Sequence, residues 1–149
     1  MATATKIVTV GASGENDMNE SVHHIAIAVH DMDAAMDFYS DTLGLKVAAR
    51  RDEPSEGVEI AFLTAGQSMV ELLRPLSPGN SIGRFLEKRG EGLHHVCLTV
   101  SDLDMTISHL RAKGAQILSE EPQINADGAR YVFVHPKSAH GVLLELYEQ

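Results

Sequence analysis

Two histidine pairs, His23-His24 and His94-His95, each open a strand-like run, and two glutamates, Glu71 and Glu145, each interrupt one. Glu71 lies in Met69-Val-Glu-Leu-Leu73 and Glu145 in Leu144-Glu-Leu146. A lone carboxylate in a run that apolar is costly to bury unless it is paired or binds a metal. One histidine and one glutamate from each half of the chain make a mixed nitrogen and oxygen set, His24, Glu71, His95 and Glu145. Such a set suits a first-row divalent cation that keeps open positions. A fifth residue, Glu59, sits in Gly57-Val-Glu-Ile-Ala-Phe-Leu63 and has no acidic counterpart near Arg130. An acid that breaks the symmetry is a candidate for proton transfer rather than binding. With Glu145 it would set a carboxylate on each side of a substrate held at the metal.

The choice of histidine within each pair follows from strand alternation. His24 shares a face with Val22, Ala26 and Ala28, which is small beyond its histidine and suits the floor of a cavity. His23 shares the bulky, β-branched face with Ile25, Ile27 and Val29. In the second run His95, Cys97 and Thr99 form the small face, against Val96, Leu98 and Val100. The expectation is that His24 and His95 do chemistry while His23 and His94 face the packing side. His30, His109 and His140 have no matching partners and read as surface residues, and His135, before Pro136, reads as a loop residue. Arg50-Arg51 and Lys88-Arg89 read as solvated pairs, with contact to a phosphate as the alternative.

These residues are positioned by a repeat. Val22–Asp33 matches Leu93–Asp104 at five of twelve positions, 71 residues apart in a chain of 149, which indicates two copies of one structural unit. Asp31 or Asp33 can cap a helix with Met32, Met36, Tyr39 and Leu43 inside, ending at Gly44. Asp102 or Asp104 opens the equivalent helix, which stops at Gly114. Strands are expected over 45–50, 58–64 and 68–73, and again over 115–118, 130–135 and 141–147. The linker 75–92 carries a short helix from Ser81 to Arg89. The fold class is α+β, with two tandem βαβββ modules (about 22–74 and 93–147) forming a curved mixed sheet around a metal-containing cavity. One domain spans 21–149. Residues 1–20, polar and turn-rich after Lys6-Ile-Val-Thr-Val10, read as a flexible extension, and Met18 as a possible natural start.

Composition sets outer bounds. At 44% hydrophobic and 22% charged residues the chain is an ordinary globular protein. Its net charge of −9 argues against a nucleic-acid binder, and no apolar run approaches the roughly 20 residues needed to cross a membrane. The single cysteine, Cys97, excludes an intrachain disulfide and fits a reducing, cytoplasmic setting. Its ordinary reading is a small buried apolar residue.

His23-His-Ile-Ala-Ile-Ala28, Glu71-Leu-Leu-Arg-Pro-Leu76, Gly92-Leu-His-His95 and His135-Pro-Lys-Ser-Ala-His-Gly-Val-Leu-Leu-Glu-Leu146 together resemble the vicinal oxygen chelate superfamily. Within it, residues 22–147 closely resemble the methylmalonyl-CoA epimerase family, the last motif being the strongest discriminator. The resemblance implies metal ligands at His24, Glu71, His95 and Glu145, and an acid/base pair at Glu59 and Glu145. It implies a divalent metal, cobalt first, with manganese, magnesium, nickel or zinc as alternatives. It further implies methylmalonyl-CoA as substrate, epimerised at C2 through a metal-stabilised enolate, and a homodimer. Two rivals share the fold: a glyoxalase-I-type lyase using the same four ligands, and a non-catalytic binding module lacking a complete set.

Overall fold

A computed structural model describes residues 19–149, with side chains from residue 21 onward. The extension expected over 1–20 therefore lies outside the described residues, apart from Asn19 and Glu20, which open the first strand. In chain order the elements are β1 (Asn19–Ala28), α1 (Met32–Met36), β2 (Lys46–Glu53), β3 (Val58–Ala65), β4 (Ser68–Pro75) and α2 (Ser81–Arg89). Then follow β5 (Gly92–Val100), α3 (Leu103–Ala112), β6 (Gln123–Ile124), β7 (Arg130–Val134) and β8 (Leu144–Glu148). After Met36, α1 continues through Asp37–Thr42 as a wider, π-type coil.

All eight strands join one sheet in the order β2-β3-β4-β1-β5-β8-β7-β6. The order is a mirror of itself about the β1/β5 seam. Those two strands, the first of each repeat, run antiparallel, and each has a parallel neighbour on its outer side, β4 for β1 and β8 for β5. The doubled sequence is thus a doubled half-sheet, as the repeat implied.

The helices start where the side-chain caps are. Asp31 accepts from Ala34 N at 3.1 Å and Asp102 from Met105 N at 2.9 Å, so in each repeat the first of the two aspartates is the cap. One apolar cluster packs α1 (Met32, Ala35, Met36) on Ile25, Ile27, Val29, Ala61, Leu63, Val70 and Leu72. Another packs α3 (Leu103, Ile107, Leu110) on Leu98, Val100, Val132, Val134 and Leu146. Both helices cover the same outer face of the sheet. On the opposite face Ile82 and Leu86 of α2 close against Ala26, Ala28, Val58, Ile60 and Leu73.

Asn80 places α2 over that inner face. Its side chain caps the helix at Gly83 N (2.8 Å) and donates to Gly57 O (2.6 Å) at the β2–β3 turn. Gly57 has φ +70, and a Cβ there would come 2.9 Å from Asn80 Nδ2, so the position requires glycine.

The second repeat is less regular than its sequence suggests. The strand expected over 115–118 is reduced to an isolated bridge between Ile117 and Val134, with the short β6 forming the edge instead. The last strand begins at Leu144 rather than 141, because the chain first turns through 136–142, with His140 at φ +55.

Candidate metal centre and active site

The four central strands each carry one polar side chain to a single point: His24 on β1, Glu71 on β4, His95 on β5 and Glu145 on β8. His24 Nε2 lies 2.6 Å from a Glu71 oxygen and 3.3 Å from a Glu145 oxygen. His95 Nε2 lies 2.9 Å from the same Glu145 oxygen and 3.9 Å from Glu71, and the two Nε2 atoms are 3.1 Å apart. Exposure is 4% for His24, 6% for Glu71 and His95, and 8% for Glu145.

Register explains the convergence. Ala26 pairs with Glu71 on one side and His95 on the other, and Cys97 pairs with His24 and Glu145. Ala26 and Cys97 occupy equivalent places in the repeat, and both are fully buried. Each is the small side chain over which a carboxylate and an imidazole from flanking strands can meet.

The electrostatics call for positive charge. Burial lowers the pKa of His24, but hydrogen bonds to Cys97, Glu145 and Glu71 more than reverse this and carry it up to about 12. Burial raises that of Glu145, and hydrogen bonds from His24 and His95 outweigh burial, holding it down at about 2. Two buried carboxylates facing two imidazoles thus favour positive charge at this point. His24, His95 and Glu145 bring their donor atoms within 4.8 Å of one another, and with Glu71 2.6 Å from His24 the set suits a first-row divalent ion. Burial pushes the Cys97 thiol up to about 11, so it stays neutral beside the cluster.

His23 and His94 do not face the packing side. The β1–β5 ladder slips at each of them, between Val22 and His24 on β1 and between His95 and Leu93 on β5. A β-bulge inserts an extra residue and re-aims its side chain. Both histidines consequently line the cavity, with His23 Nδ1 2.7 Å from His24 Nδ1 and His94 Nδ1 2.8 Å from His95 Nδ1. Burial, then the neighbouring histidine's charge, lowers the pKa of both, that of His94 to about 4. A neutral ring accepting at Nδ1 fixes its neighbour's proton on Nδ1 and turns the neighbour's Nε2 lone pair inward.

Phe62 and Phe133 complete the frame. Phe62 pairs with Glu71 across β3–β4 and sets its ring edge-on to His24; Phe133 pairs with Glu145 across β7–β8 and does the same to His95. Sequence reasoning missed both, although they repeat at the spacing of the histidines.

Glu59 is not in this group, which corrects the expectation drawn from small neighbours. The cavity face of β3 is Val58, Ile60 and Phe62, whereas Ala61 and Leu63, on the side of Glu59, pack under α1. Its two oxygens accept from Arg50 Nε (2.8 Å) and Arg74 Nε (2.7 Å), and Arg50 reaches on to Asp33 in the first turn of α1. Burial pushes the Glu59 pKa up, and the two guanidiniums more than reverse this, holding it below the usual carboxylate range. The sheet itself separates Glu59 from the cluster. The further carboxylates that line the cavity are Glu53, Glu56 and Asp127. Burial, then the negative charges of Glu71, Glu53 and Glu145, holds Glu56 above the usual range, and its carboxyl interacts with the Tyr131 hydroxyl.

The cavity holds about 650 Å³, within the range of small-molecule sites. Comparison with known proteins adds the lineage. The family model described as Glyoxalase/Bleomycin resistance protein/Dioxygenase superfamily matches residues 23–133. The ethylmalonyl-CoA/methylmalonyl-CoA epimerase of Cereibacter sphaeroides is 44% identical over 127 residues, covering 84% of this chain and 95% of the relative. The crystal structure of methylmalonyl-CoA epimerase from Mycobacterium tuberculosis superposes with a TM-score of 0.83 at 32% identity, covering 92% of this chain and 93% of that one. A variant of the Streptomyces coelicolor methylmalonyl-CoA epimerase, in complex with 2-nitronate-propionyl-CoA, gives 0.82 at 36% identity, covering 88% and 98%. By sequence, fold and the extent of both matches, the chain belongs to the methylmalonyl-CoA epimerase family of the glyoxalase/bleomycin resistance protein/dioxygenase superfamily.

Proposed function

We propose that this chain interconverts (R)- and (S)-methylmalonyl-CoA by removing and returning the proton at C2. One observation carries the reading: two buried imidazoles and two buried carboxylates converge at the floor of a ligand-sized cavity, in a chain from the epimerase family. The C2 hydrogen lies between a thioester carbonyl and a carboxylate, so its removal puts negative charge on the thioester oxygen. His24, Glu71, His95 and Glu145 would hold a divalent ion. When bound, that ion supplies Lewis-acid stabilisation for the developing charge. Cobalt is the proposed metal, with manganese, magnesium, nickel or zinc as alternatives; the setting is cytoplasmic and the assembly a homodimer, as the resemblance implies.

The protein's own part is positioning and proton handling. Ala26 and Cys97 leave room at the floor, Phe62 and Phe133 brace the two imidazoles, and the buried cluster excludes water. Inversion needs one proton-handling group on each face of C2. Glu145, held ionised, is one. Glu56 is the other: it lines the cavity while remaining exposed to solvent, and its neighbours hold its pKa above the usual carboxylate range.

The test is exchange. Cobalt-loaded protein in deuterated water should replace the C2 hydrogen of methylmalonyl-CoA with deuterium. Retention of that hydrogen with metal bound in stoichiometric amount would reject the activity, and failure to bind any divalent metal would reject the ligand set.

A further inference from the structure

His24 belongs to two groups of donors. Its Nε2 faces Glu71, Glu145 and His95, while its Nδ1 lies 2.7 Å from His23 Nδ1. A third donor stands on the same side of the ring: Cys97 on β5 is the cross-strand partner of His24 on β1. The donor atoms of His23, His24 and Cys97 all lie within 4.8 Å of one another, with His23 half-buried and the other two buried. Besides His24, the thiol meets Leu98 O at 3.9 Å, a weak contact for a weak donor.

The fold assembles this set on one side of the molecule only. The slip in the β1–β5 ladder turns His23 to the cavity, beside His24 instead of across the sheet from it. Tyr147 on β8 stacks on the His23 ring, with centroids 4.7 Å apart, and holds it there. The second repeat has the matching imidazole pair, His94 and His95, with Nδ1 atoms 2.8 Å apart. The cross-strand partner of His95, however, is Ala26, which offers no donor where His24 has a thiol. Cys97 thus breaks the symmetry of the repeat at the floor of the site. The chemistry of the two groups also differs. Carboxylate oxygens with imidazoles take ordinary first-row divalent ions, whereas one sulfur with two imidazoles is a softer set that favours zinc or cuprous ion. The neutral thiol of the free protein is no bar, because a coordinated cation displaces its proton.

We propose that His23, His24 and Cys97 form a second metal seat, selective for a thiophilic cation such as zinc, cadmium or cuprous ion, which shares one imidazole with the four-donor cluster and competes with it. In this seat the ion replaces the proton between the two Nδ1 atoms and the proton of the thiol, and both leave to solvent. His24 then keeps its remaining proton on Nε2, 2.6 Å from a Glu71 oxygen, and that nitrogen is lost as a ligand to the other set. A thiophilic ion would therefore silence the four-donor cluster without touching Glu71, His95 or Glu145. No substrate and no turnover enter into this, so it stands or falls apart from the epimerase reading.

Cadmium is the probe, because its bond to a thiolate gives an ultraviolet charge-transfer band that imidazole and carboxylate ligands do not. Equimolar cadmium added to the full chain should raise that band. Cys97→Ser should abolish it and weaken cadmium binding by about tenfold or more, since a lost ligand costs at least as much as a lost outer partner. Glu71→Gln alters only the other set and should keep the band. Calorimetric titration of cadmium-loaded protein should show cobalt affinity lowered by about tenfold or more, as coupling through a shared ligand requires. The wild-type chain alone can decide against the proposal: no charge-transfer band with cadmium overturns it. So does a band that survives in Cys97→Ser, or one that vanishes in Glu71→Gln and so places the cadmium among the carboxylates. Cobalt affinity unmoved by bound cadmium overturns it as well, because His24 would then not be shared.

Discussion

At the scale of single residues, the geometry separates two glutamates three positions apart. Glu59 is a structural ion-pair partner, and Glu56 faces the cavity. Glu56→Gln should suppress C2 exchange by about 10²-fold or more with metal binding retained, and Glu59→Gln should leave exchange near the wild-type rate. The cost of the second change is in stability, about 1–2 kcal/mol at neutral pH, because two partly exposed guanidiniums lose their acceptor. The sign with pH follows from the lowered Glu59 pKa. Its contribution is present above the ordinary value of 4.5 and disappears as pH falls through the depressed one. Denaturant melts of the two proteins should therefore differ at pH 7 and converge in acid. The bulged histidines give another test: His23→Ala and His94→Ala should each weaken cobalt binding by about 10–100-fold. Titration calorimetry would read that loss, and unchanged affinity would make the imidazole pairs incidental.

The elements explain both what strand alternation could read and what it could not. Alternation placed Ala26 and Ala28 on the inner face of β1 correctly, because nothing interrupts the pleat there. It misplaced His23 and His94, since a bulge adds a residue without altering the hydrophobic pattern around it. It misplaced Glu59 for a different reason. Small residues do not mark the cavity side of β3; Ala61 is small because α1 lies close above it, while the inner face carries Ile60 and Phe62. The caps at Asp31 and Asp102 were readable to within two residues, and so was α2. The loss of the strand near 117 was not, as Ile117 keeps its apolar side chain and only its neighbours leave the ladder. The floor of the site offers an element-scale test. Ala26→Val adds two methyl groups between Glu71 and His95, and should cost about 1–3 kcal/mol by overpacking. It should also lower metal affinity by about tenfold or more, since the added bulk stands between a candidate ligand carboxylate and a candidate ligand imidazole. Metal affinity unchanged in a folded Ala26→Val protein would mean that the floor has room to spare.

Seen whole, the molecule is two similar half-sheets joined along β1 and β5, and each of the four central strands contributes one donor. Neither half holds more than one imidazole and one carboxylate of the set, so a bound ion would tie both halves together. Free metal at 100 times its dissociation constant should stabilise the fold by about 2.7 kcal/mol, raising the melting temperature by roughly 10 °C. Thermal melts with and without a chelator measure this directly, and equal midpoints would place the ion elsewhere or nowhere. The repeat and the four donors were legible because they lie in the sequence as types and spacings. The pairing of Glu59 with Arg50 and Arg74 was not, because it depends on which arginines find a carboxylate across strands.

The seam has a consequence for selectivity by size. The strands that bear the donors keep the spacing of the ladder, about 4.8 Å between neighbours, and the side chains reach inward from that fixed frame. They cannot spread as donors on a loop can, because widening the gap breaks backbone hydrogen bonds along β4, β1, β5 and β8. The frame should therefore favour small, six-coordinate divalent ions over one as large as calcium, which asks for longer bonds and more oxygens, and competition between cobalt and calcium for the site would measure this.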